Sequence, residues 1–198
     1  MNQKHFSELP IKHIQIRNET NQEDANNDYK VIEDFLPKDI FDELQSFMIP
    51  TAENFKSGME QMHWAFTPGV SEISFENWRM FYFTHLVYNN AIMSPFYNNE
   101  FMVKILTLLG VKALKRIKTN MFPYSEKIIE HGMHIDYPWP HKGALFSINT
   151  CDGYTKLEDG TKIDSVANRM LLFDSSKLHC STNCTNQSAR VNINFNYF

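Results

Sequence analysis

The chain has 198 residues, of which 42% are hydrophobic and 14% aromatic, and its formal net charge at pH 7 is −4. This length and apolar content suffice for a substantial core, so we expect residues 1–198 to form one ordered domain. An acidic balance without a long basic run argues against binding to a nucleic-acid backbone.

The sequence predicts a protein of the cytoplasm. The opening MNQKHFSELP lacks the apolar region of a signal peptide, and no stretch approaches the roughly 18 apolar residues of a membrane span. The three cysteines, Cys151, Cys180 and Cys184, are an odd number, which fits reduced thiols better than a disulfide framework. We therefore expect reduced cysteines and no membrane partner.

The front of the chain begins with weak strand signals and then a helix. A short strand is expected at PIKHIQIRN, a polar surface loop follows it, and YKVIEDF is again typical of a strand. After Pro37, the residues Ile40, Leu44 and Phe47 recur at helical spacing. Residues 50–77 show few clear periods, so we expect them to be irregular.

An aromatic strand and a second helix come next. The segment WRMFYFTHLVY at residues 78–88 is rich in β-prone residues, which predicts a buried strand. The segment NEFMVKILTLLG has helical periodicity, with Asn99 available as a cap and Gly110 as a stop.

The remainder of the chain is dominated by strand patterns. A front segment with two helices followed by an all-β half predicts a mainly β fold with flanking helices, in outline a helix-backed jelly roll. The expected strands are ALKRIKTNMF, IIEHGMHID, GALFSINT, YTKLED, NRMLLFD and ARVNINFNYF.

The last of these strands has two faces of opposite character. An apolar face would pack against the helices, whereas a polar face is costly in a dry core and suits the mouth of a barrel that holds a charged ligand. The apolar face carries Val191, Ile193, Phe195 and Tyr197, and the polar face carries Arg190, Asn192, Asn194 and Asn196.

Three side chains in the β half have the types and spacing of an iron site. His134 and Asp136 are two residues apart, so on one strand they would point to the same face. His179, from a distant strand brought alongside, would complete the set. Two histidines and one carboxylate, with positions left open, are the usual ligands of non-haem Fe(II) oxygenases. The alternative for these residues is an ordinary surface strand or loop.

Arg190 is the candidate for binding a carboxylate co-substrate. It lies eleven positions after His179, far enough for the chain to turn a hairpin and return beside it. Its rigid guanidinium fork suits two-point binding of a carboxylate, although a surface salt bridge is the alternative. Asn192 shares its face and can add a hydrogen bond, while Asn120 and Tyr124 are weaker candidates for contacts to the same ligand.

Two neighbouring features suggest other roles. His131 is at an odd offset from His134, so we expect it to face away, in a structural or solvent-facing role. Cys180 and Cys184 lie near His179, which suggests zinc, but a structural zinc site normally takes four ligands, and a single C-x3-C pair is a poor match.

The loop YPWPHKG follows the metal motif directly. Trp139 and His141 in this loop are placed where a substrate could approach. A proline-stiffened loop with its aromatic ring packed down is an equally good interpretation.

The chain resembles the Fe(II)/2-oxoglutarate-dependent dioxygenase superfamily, on its prolyl-4-hydroxylase-like side, and among its members the small stand-alone versions carried by tailed phages. The likeness covers residues 116–198, with a fainter match at VIEDFLPKDIFDEL, and departs from many relatives at Asn192, where they have Ser, and at a shortened glycine segment, Asp152-Gly153-Tyr154. The segments that carry it are RIKTNMFPYSEKIIEHGMHIDY, LFSINTCDGYTKLEDG, NRMLLFDSSKLH and RVNINFNYF.

The resemblance implies a double-stranded β-helix, a cupin-like jelly roll, with iron on His134, Asp136 and His179 and the 2-oxoglutarate tail on Arg190. It implies a hydroxylase that uses Fe(II), 2-oxoglutarate and O2, with ascorbate as an optional addition, and that acts on a peptide or protein, at a peptidyl proline by analogy. A nucleobase demethylase and a non-catalytic jelly-roll binding module are the alternatives. If the protein is phage-encoded, its compartment is the host cytoplasm.

Overall fold

The computed structural model describes residues 28–70 and 80–198. The strand expected at PIKHIQIRN lies outside the described residues. Among the helices that are described, none combines the length and apolar content needed to cross a bilayer.

The described chain contains ten strands, three α-helices and one short 3-10 helix at Pro95–Asn98. The helices are α1 Lys38–Met48, α2 Ala52–Lys56 and α3 Glu100–Leu108. The strands are β1 Tyr29–Ile32, β2 Ala65–Thr67, β3 Tyr82–Asn89, β4 Leu114–Pro123, β5 Lys142–Ser147, β6 Tyr154–Leu157, β7 Lys162–Asp164, β8 Arg169–Asp174, β9 His179–Ser181 and β10 Ala189–Tyr197.

The strands form two antiparallel sheets. The larger has seven strands in the order β1-β8-β5-β10-β4-β3-β2, and the smaller has three in the order β7-β6-β9. The sheets meet through an apolar cluster in which Leu145, Leu171 and Phe173 of the large sheet contact Leu157 and Ile163 of the small one. Two packed antiparallel sheets with helices at one side are the layers of the expected jelly roll.

The main core lies between the outer face of the large sheet and the helices. Phe41 of α1 packs edge-on against Phe146 of β5, with ring centroids 5.9 Å apart. Every third or fourth residue of α1 points into this core, which is the spacing that makes a helix amphipathic. The buried helix residues are Phe41, Leu44, Met48, Phe101, Met102 and Ile105, and they meet Ile117, Val191, Ile193 and Phe195 of the sheet.

The helix α3 begins and ends where the sequence places its ends. Asn99 caps α3, because its side chain accepts a hydrogen bond from the Phe101 amide at 3.0 Å. Gly110 follows with φ at +62°, a left-handed conformation in which glycine carries no steric penalty. Of residues 50–77, which were expected to be irregular, the described part, residues 50–70, contains α2 and β2.

The expected strand IIEHGMHID is wrong. Residues 128–136 contain only isolated bridges, Glu130 with Thr182 and His134 with His179. Pairing is interrupted between these bridges, so the β pattern of the side chains is present without a continuous ladder of backbone hydrogen bonds.

Asn168 attaches the segment between β1 and α1 to the large sheet. Its side-chain oxygen accepts from the Leu36 amide at 2.9 Å, and its side-chain nitrogen donates to the Leu36 carbonyl at 2.8 Å. The Phe35 amide also donates to the Asn168 carbonyl at 3.0 Å. Asn168 itself is buried, with φ at +63°, a region that asparagine tolerates better than most residues.

Asn168→Ala should therefore lower the free energy of unfolding by about 3 kcal/mol. Two buried hydrogen bonds contribute about 1 kcal/mol each, and an alanine in the left-handed region costs about 1 kcal/mol more. Asn168→Gly loses the same hydrogen bonds without the backbone cost, so its free energy of unfolding should lie between those of Asn168→Ala and the wild type. Urea unfolding measures all three, and equal midpoints for wild type and Asn168→Ala would contradict this role.

Candidate metal centre

The structure brings together the three side chains expected to hold a metal. One ligand atom from each of His134, Asp136 and His179 lies within 4.8 Å of the other two. His179 Nε2 is 4.0 Å from Asp136 Oδ2, and the two imidazole centroids are 4.6 Å apart. Ligands about 2.1 Å from a shared ion at right angles would lie about 3 Å apart, so small side-chain shifts suffice to bind one ion.

Backbone hydrogen bonds place two of these ligands beside each other. The amides of His134 and His179 each donate to the other residue's carbonyl at 2.9 Å, which makes a closed antiparallel pair between the motif segment and β9. The Asp136 amide then donates to the Ser175 carbonyl at 3.0 Å. Two residues on an extended backbone share a face, so His134 and Asp136 reach the same point without belonging to a strand.

Each histidine presents the same nitrogen to the centre. Nδ1 of His134 lies 3.1 Å from the Gly132 carbonyl, and Nδ1 of His179 lies 3.0 Å from the Lys177 carbonyl. A carbonyl only accepts, so Nδ1 carries the proton and Nε2 keeps its lone pair. Burial lowers the pKa of His179, which favours the neutral form that binds a metal.

Asp136 is held by donors on both carboxylate oxygens. Arg116 Nη2 donates to Oδ1 at 2.7 Å, and the side-chain amides of Asn196 and Asn194 donate to Oδ2 at 2.8 and 3.2 Å. Burial alone would raise the pKa of Asp136, but the charge of Arg116, then that of His179 once it is protonated at acidic pH, and the two amides outweigh it. The pKa therefore lies below its usual range and the carboxylate stays ionised, as a metal ligand must be.

The centre opens onto a cavity of about 400 Å³ between the two sheets. The cavity walls combine the metal candidates with polar residues of β4 and β10 and with residues of the small sheet. The polar members on the large sheet are Thr67, Tyr82, Arg116, Lys118, Asn120, Asn192 and Asn194, and the small sheet contributes Thr155, Cys180 and Ser181.

Arg190 lies immediately behind the cavity wall rather than in it. Its side chain is 1% exposed, and Nη2 donates to Thr155 Oγ1 at 2.8 Å while Nη1 donates to the Thr182 carbonyl at 3.0 Å. Gly153 allows this burial, because a Cβ there would lie 2.7 Å from Arg190 Cδ. Burial lowers the pKa of Arg190 to about 10, so the group remains a cation at neutral pH.

Arg190 has no carboxylate partner within 4.0 Å among residues 28–70 and 80–198. Its Nε also lacks a hydrogen-bond partner there. The other buried side-chain atoms of the described chain without a partner are Arg116 Nε, Asn194 Oδ1 and Asn196 Oδ1, so all four belong to β4 and β10. Such a concentration of unsatisfied polar atoms is typical of a site that a ligand completes.

The secondary co-substrate candidates differ in position. Asn120 and Asn192 form a cross-strand pair on the cavity wall, with Asn120 Nδ2 donating to Asn192 Oδ1 at 2.8 Å. Tyr124 is 53% exposed beyond the end of β4 and does not line the cavity.

The two other histidines near the motif, His131 and His141, are buried and contact serine hydroxyls. His131 does not line the cavity and is buried rather than solvent-facing, with its Nδ1 2.8 Å from Ser181 Oγ. His141 was a candidate for substrate contact, but it is buried behind the centre, where its Nε2 lies 2.7 Å from Ser175 Oγ. Trp139 is 42% exposed, stacks on Tyr137, and does not line the cavity.

Several polar residues of the site were missed in the sequence. Arg116, Lys118 and Asn120 are successive alternate residues of β4, so the same period of two that revealed the polar face of β10 could have found them. Asn194 and Asn196 were placed on the right face without a role. None of the three cysteines is in a disulfide, and all are buried.

Solved structures that superpose on the chain include prolyl hydroxylases. A prolyl-4-hydroxylase from Pseudomonas putida has a TM-score of 0.59 at 12% identity, covering 87% of this chain and 94% of that one. A viral collagen prolyl hydroxylase from Paramecium bursaria Chlorella virus-1, in its 2-oxoglutarate complex, has 0.56 at 13%, covering 87% and 96%. A Trichoplax adhaerens prolyl hydroxylase with a hypoxia inducible factor peptide fragment has 0.59 at 17%, covering 88% and 84%.

The chain thus has the jelly-roll fold of the 2-oxoglutarate-dependent oxygenases, which confirms the fold class expected from the sequence. No family model and no curated protein matches the sequence. At such low identity the likeness establishes the fold, and the activity has to be argued from the site itself.

Asn196→Ala should weaken metal binding by about 10- to 100-fold, because removing a partner that orients a metal-binding carboxylate has effects of that size. Calorimetric titration with Mn(II) in the absence of any co-substrate measures the change. Asn192→Ala is the matched control, since it removes the same amide from the same face of β10 without touching Asp136. Equal Mn(II) affinity in Asn196→Ala and wild type would show that Asn196 does not position Asp136.

Proposed function

We propose that this protein is an Fe(II)- and 2-oxoglutarate-dependent oxygenase that hydroxylates a substrate C–H bond. The observation that carries the proposal is the buried Arg190, a cation without a carboxylate partner in the described chain, set behind the same cavity that holds His134, Asp136 and His179. A buried charge of this kind is costly unless a counter-ion arrives, and 2-oxoglutarate is a counter-ion that also chelates iron.

Three side chains would hold the metal and leave its other positions open. His134 and His179 present their Nε2 atoms, since Nδ1 of each lies against a carbonyl, and Asp136 supplies the anionic ligand. Bound Fe(II), with 2-oxoglutarate and O2, supplies the oxidative decarboxylation to succinate and CO2 that is coupled to hydroxylation. Arg116, Asn194 and Asn196 keep Asp136 in place, so the protein fixes an open coordination geometry.

The far carboxylate of 2-oxoglutarate would pair with Arg190 beside Thr155. Thr155 both lines the cavity and accepts from Arg190, so it marks where the guanidinium meets the cavity. A carboxylate there would satisfy Arg190 Nε and gain two-point binding from the planar fork. Asn120 and Asn192 form the adjacent wall and would orient the chain of the co-substrate.

A peptide substrate, with peptidyl proline as the residue hydroxylated, is the family-level part of the proposal. It is supported by the proteins that share the fold, which include a collagen prolyl hydroxylase and a prolyl hydroxylase with a bound peptide fragment. Ascorbate is proposed only as a reductant that keeps the iron ferrous.

The first test is succinate formation from 2-oxoglutarate by anaerobically iron-loaded protein on exposure to air. Wild type should form succinate, and His134→Ala should lower the rate at least about a hundredfold, since it removes one of three protein ligands. His131→Gln is the matched control, because it changes a neighbouring histidine that does not line the cavity. Failure of the wild type to bind both Fe(II) and 2-oxoglutarate in an anaerobic absorbance titration would contradict the oxygenase proposal.

Arg190→Gln should raise the Kd for 2-oxoglutarate by about 10- to 100-fold, because hydrogen bonds to a charged group contribute about 1.5–3 kcal/mol each. Arg190→Lys keeps the charge and loses the planar fork, so its Kd should lie between the other two. The titration uses Mn(II)-loaded protein, and unchanged Mn(II) affinity shows that each variant is folded at the centre. A wild-type Kd in a folded Arg190→Gln protein would assign the co-substrate carboxylate to another residue.

A further inference from the structure

Lys118 is a cation of the cavity wall that has no role in the proposed chemistry. It lies on the inner face of β4, directly opposite Asn194 of β10, and lines the cavity with the metal candidates. Asn194 is also a donor to Asp136, so Lys118 sits at the level of the metal centre. Arg190 lies opposite Phe122, four residues away along β10.

Lys118 has weak internal partners. Its Nζ lies 3.4 Å from the Tyr82 hydroxyl and 5.6 Å from the centre of that ring. No carboxylate of the described residues lies within 4.0 Å of it. Arg116, by contrast, is paired with Asp136 at 2.7 Å. Burial, followed by the nearby charge of Arg116, lowers the pKa of Lys118 to about 8, so this cation is poorly stabilised where it stands.

A single co-substrate molecule does not account for both cations. The strand positions of Arg190 and Lys118 differ by four residues, which is about 13 Å at roughly 3.3 Å per residue. A short diacid that chelates the metal and reaches Arg190 uses one carboxylate on the metal and the other on Arg190, so neither is left to pair with Lys118. The wall formed by Lys118, Tyr82 and Thr67 then remains free to contact a second molecule.

We propose that Lys118 is a specificity residue that binds a carboxylate of the prime substrate, so that this enzyme prefers substrates with a carboxylate close to the oxidised C–H bond. The inference rests on the proposed function. Lys118 Nζ offers charged donors to one carboxylate oxygen, and the Tyr82 hydroxyl, which accepts from Lys118, keeps its own proton for the other. One cation and one neutral donor match a monoanion better than a phosphate dianion.

The test uses a small probe on the Mn(II)-loaded protein saturated with 2-oxoglutarate. Paramagnetic relaxation of ¹³C-labelled acetate is compared with that of ¹³C-labelled acetamide, its neutral counterpart. Acetate beside Lys118 lies close to the metal and exchanges rapidly, so its relaxation should be enhanced well above that of acetamide. Lys118→Gln should weaken acetate binding by about tenfold or more, and Lys118→Arg should retain it.

The pH dependence gives an independent check. Lys118 loses its charge as the pH rises through about 8, so acetate relaxation should fall in that range. The groups that face Lys118 do not produce this change, because Arg116 and Asp136 are ion-paired and the pKa of Tyr82 is raised above 10.0 by burial. Lys118→Arg should remove the dependence on pH.

Each outcome decides the proposal. Equal relaxation of acetate and acetamide, or enhancement that persists in a Lys118→Gln protein with wild-type circular dichroism, overturns it, the latter because acetate then binds elsewhere. A failure of 2-oxoglutarate to bind in the same samples would instead overturn the proposed function. The acetate measurement without 2-oxoglutarate would still report on Lys118, so the two failures are distinguishable.

Discussion

The candidate centre depends on one pair of backbone hydrogen bonds, those between His134 and His179. Side-chain contacts can be lost by a change of rotamer, but a closed backbone pair fixes the Cα positions of both ligands at once. Asp136 follows on the same face and is anchored by its own amide to Ser175. The main chain therefore places the three candidate ligands side by side, and the side-chain donors to Asp136 then orient its carboxylate. This is why an irregular segment can present ligands as accurately as a strand.

The two faces of β10 contribute to stability with opposite sign. Its outer face stabilises the fold, because Val191, Ile193 and Phe195 are fully buried against the helices, and each such side chain contributes about 1.5–3 kcal/mol. Its inner face lowers the stability of the fold. Arg190 and Asn196 are equally buried, and each has an unsatisfied polar atom, which costs free energy unless a ligand arrives. One strand thus joins the stabilising core to a destabilised site, a division typical of binding sites that await a ligand.

The alternation along β10 could be read from the sequence because a strand has a period of two and both faces are buried. The spacing of His134 and Asp136 was informative because alternate residues of an extended backbone share a face, even though this segment is not a strand. The missing strand at residues 128–136 shows the limit of such patterns, since side-chain periodicity does not report whether the backbone finds continuous partners. The burial of His141 depends on Ser175, a residue far away in the chain, and local sequence carries no sign of that contact.

The net charge around the cavity is positive, whereas that of the whole chain is negative. The formal net charge is −4, yet three cations, Arg116, Lys118 and Arg190, lie in or directly behind the cavity walls, and one acid, Asp136, faces them. Low-dielectric walls strengthen this local field, so the cavity attracts anions although the protein repels them overall. A bound dication would add to the positive charge, and one dianionic co-substrate would neutralise only part of it. A neutral prime substrate would bury the remaining positive charge without a counter-ion, whereas an anionic substrate would balance it. Because burying unpaired charge costs free energy, an anionic substrate is favoured.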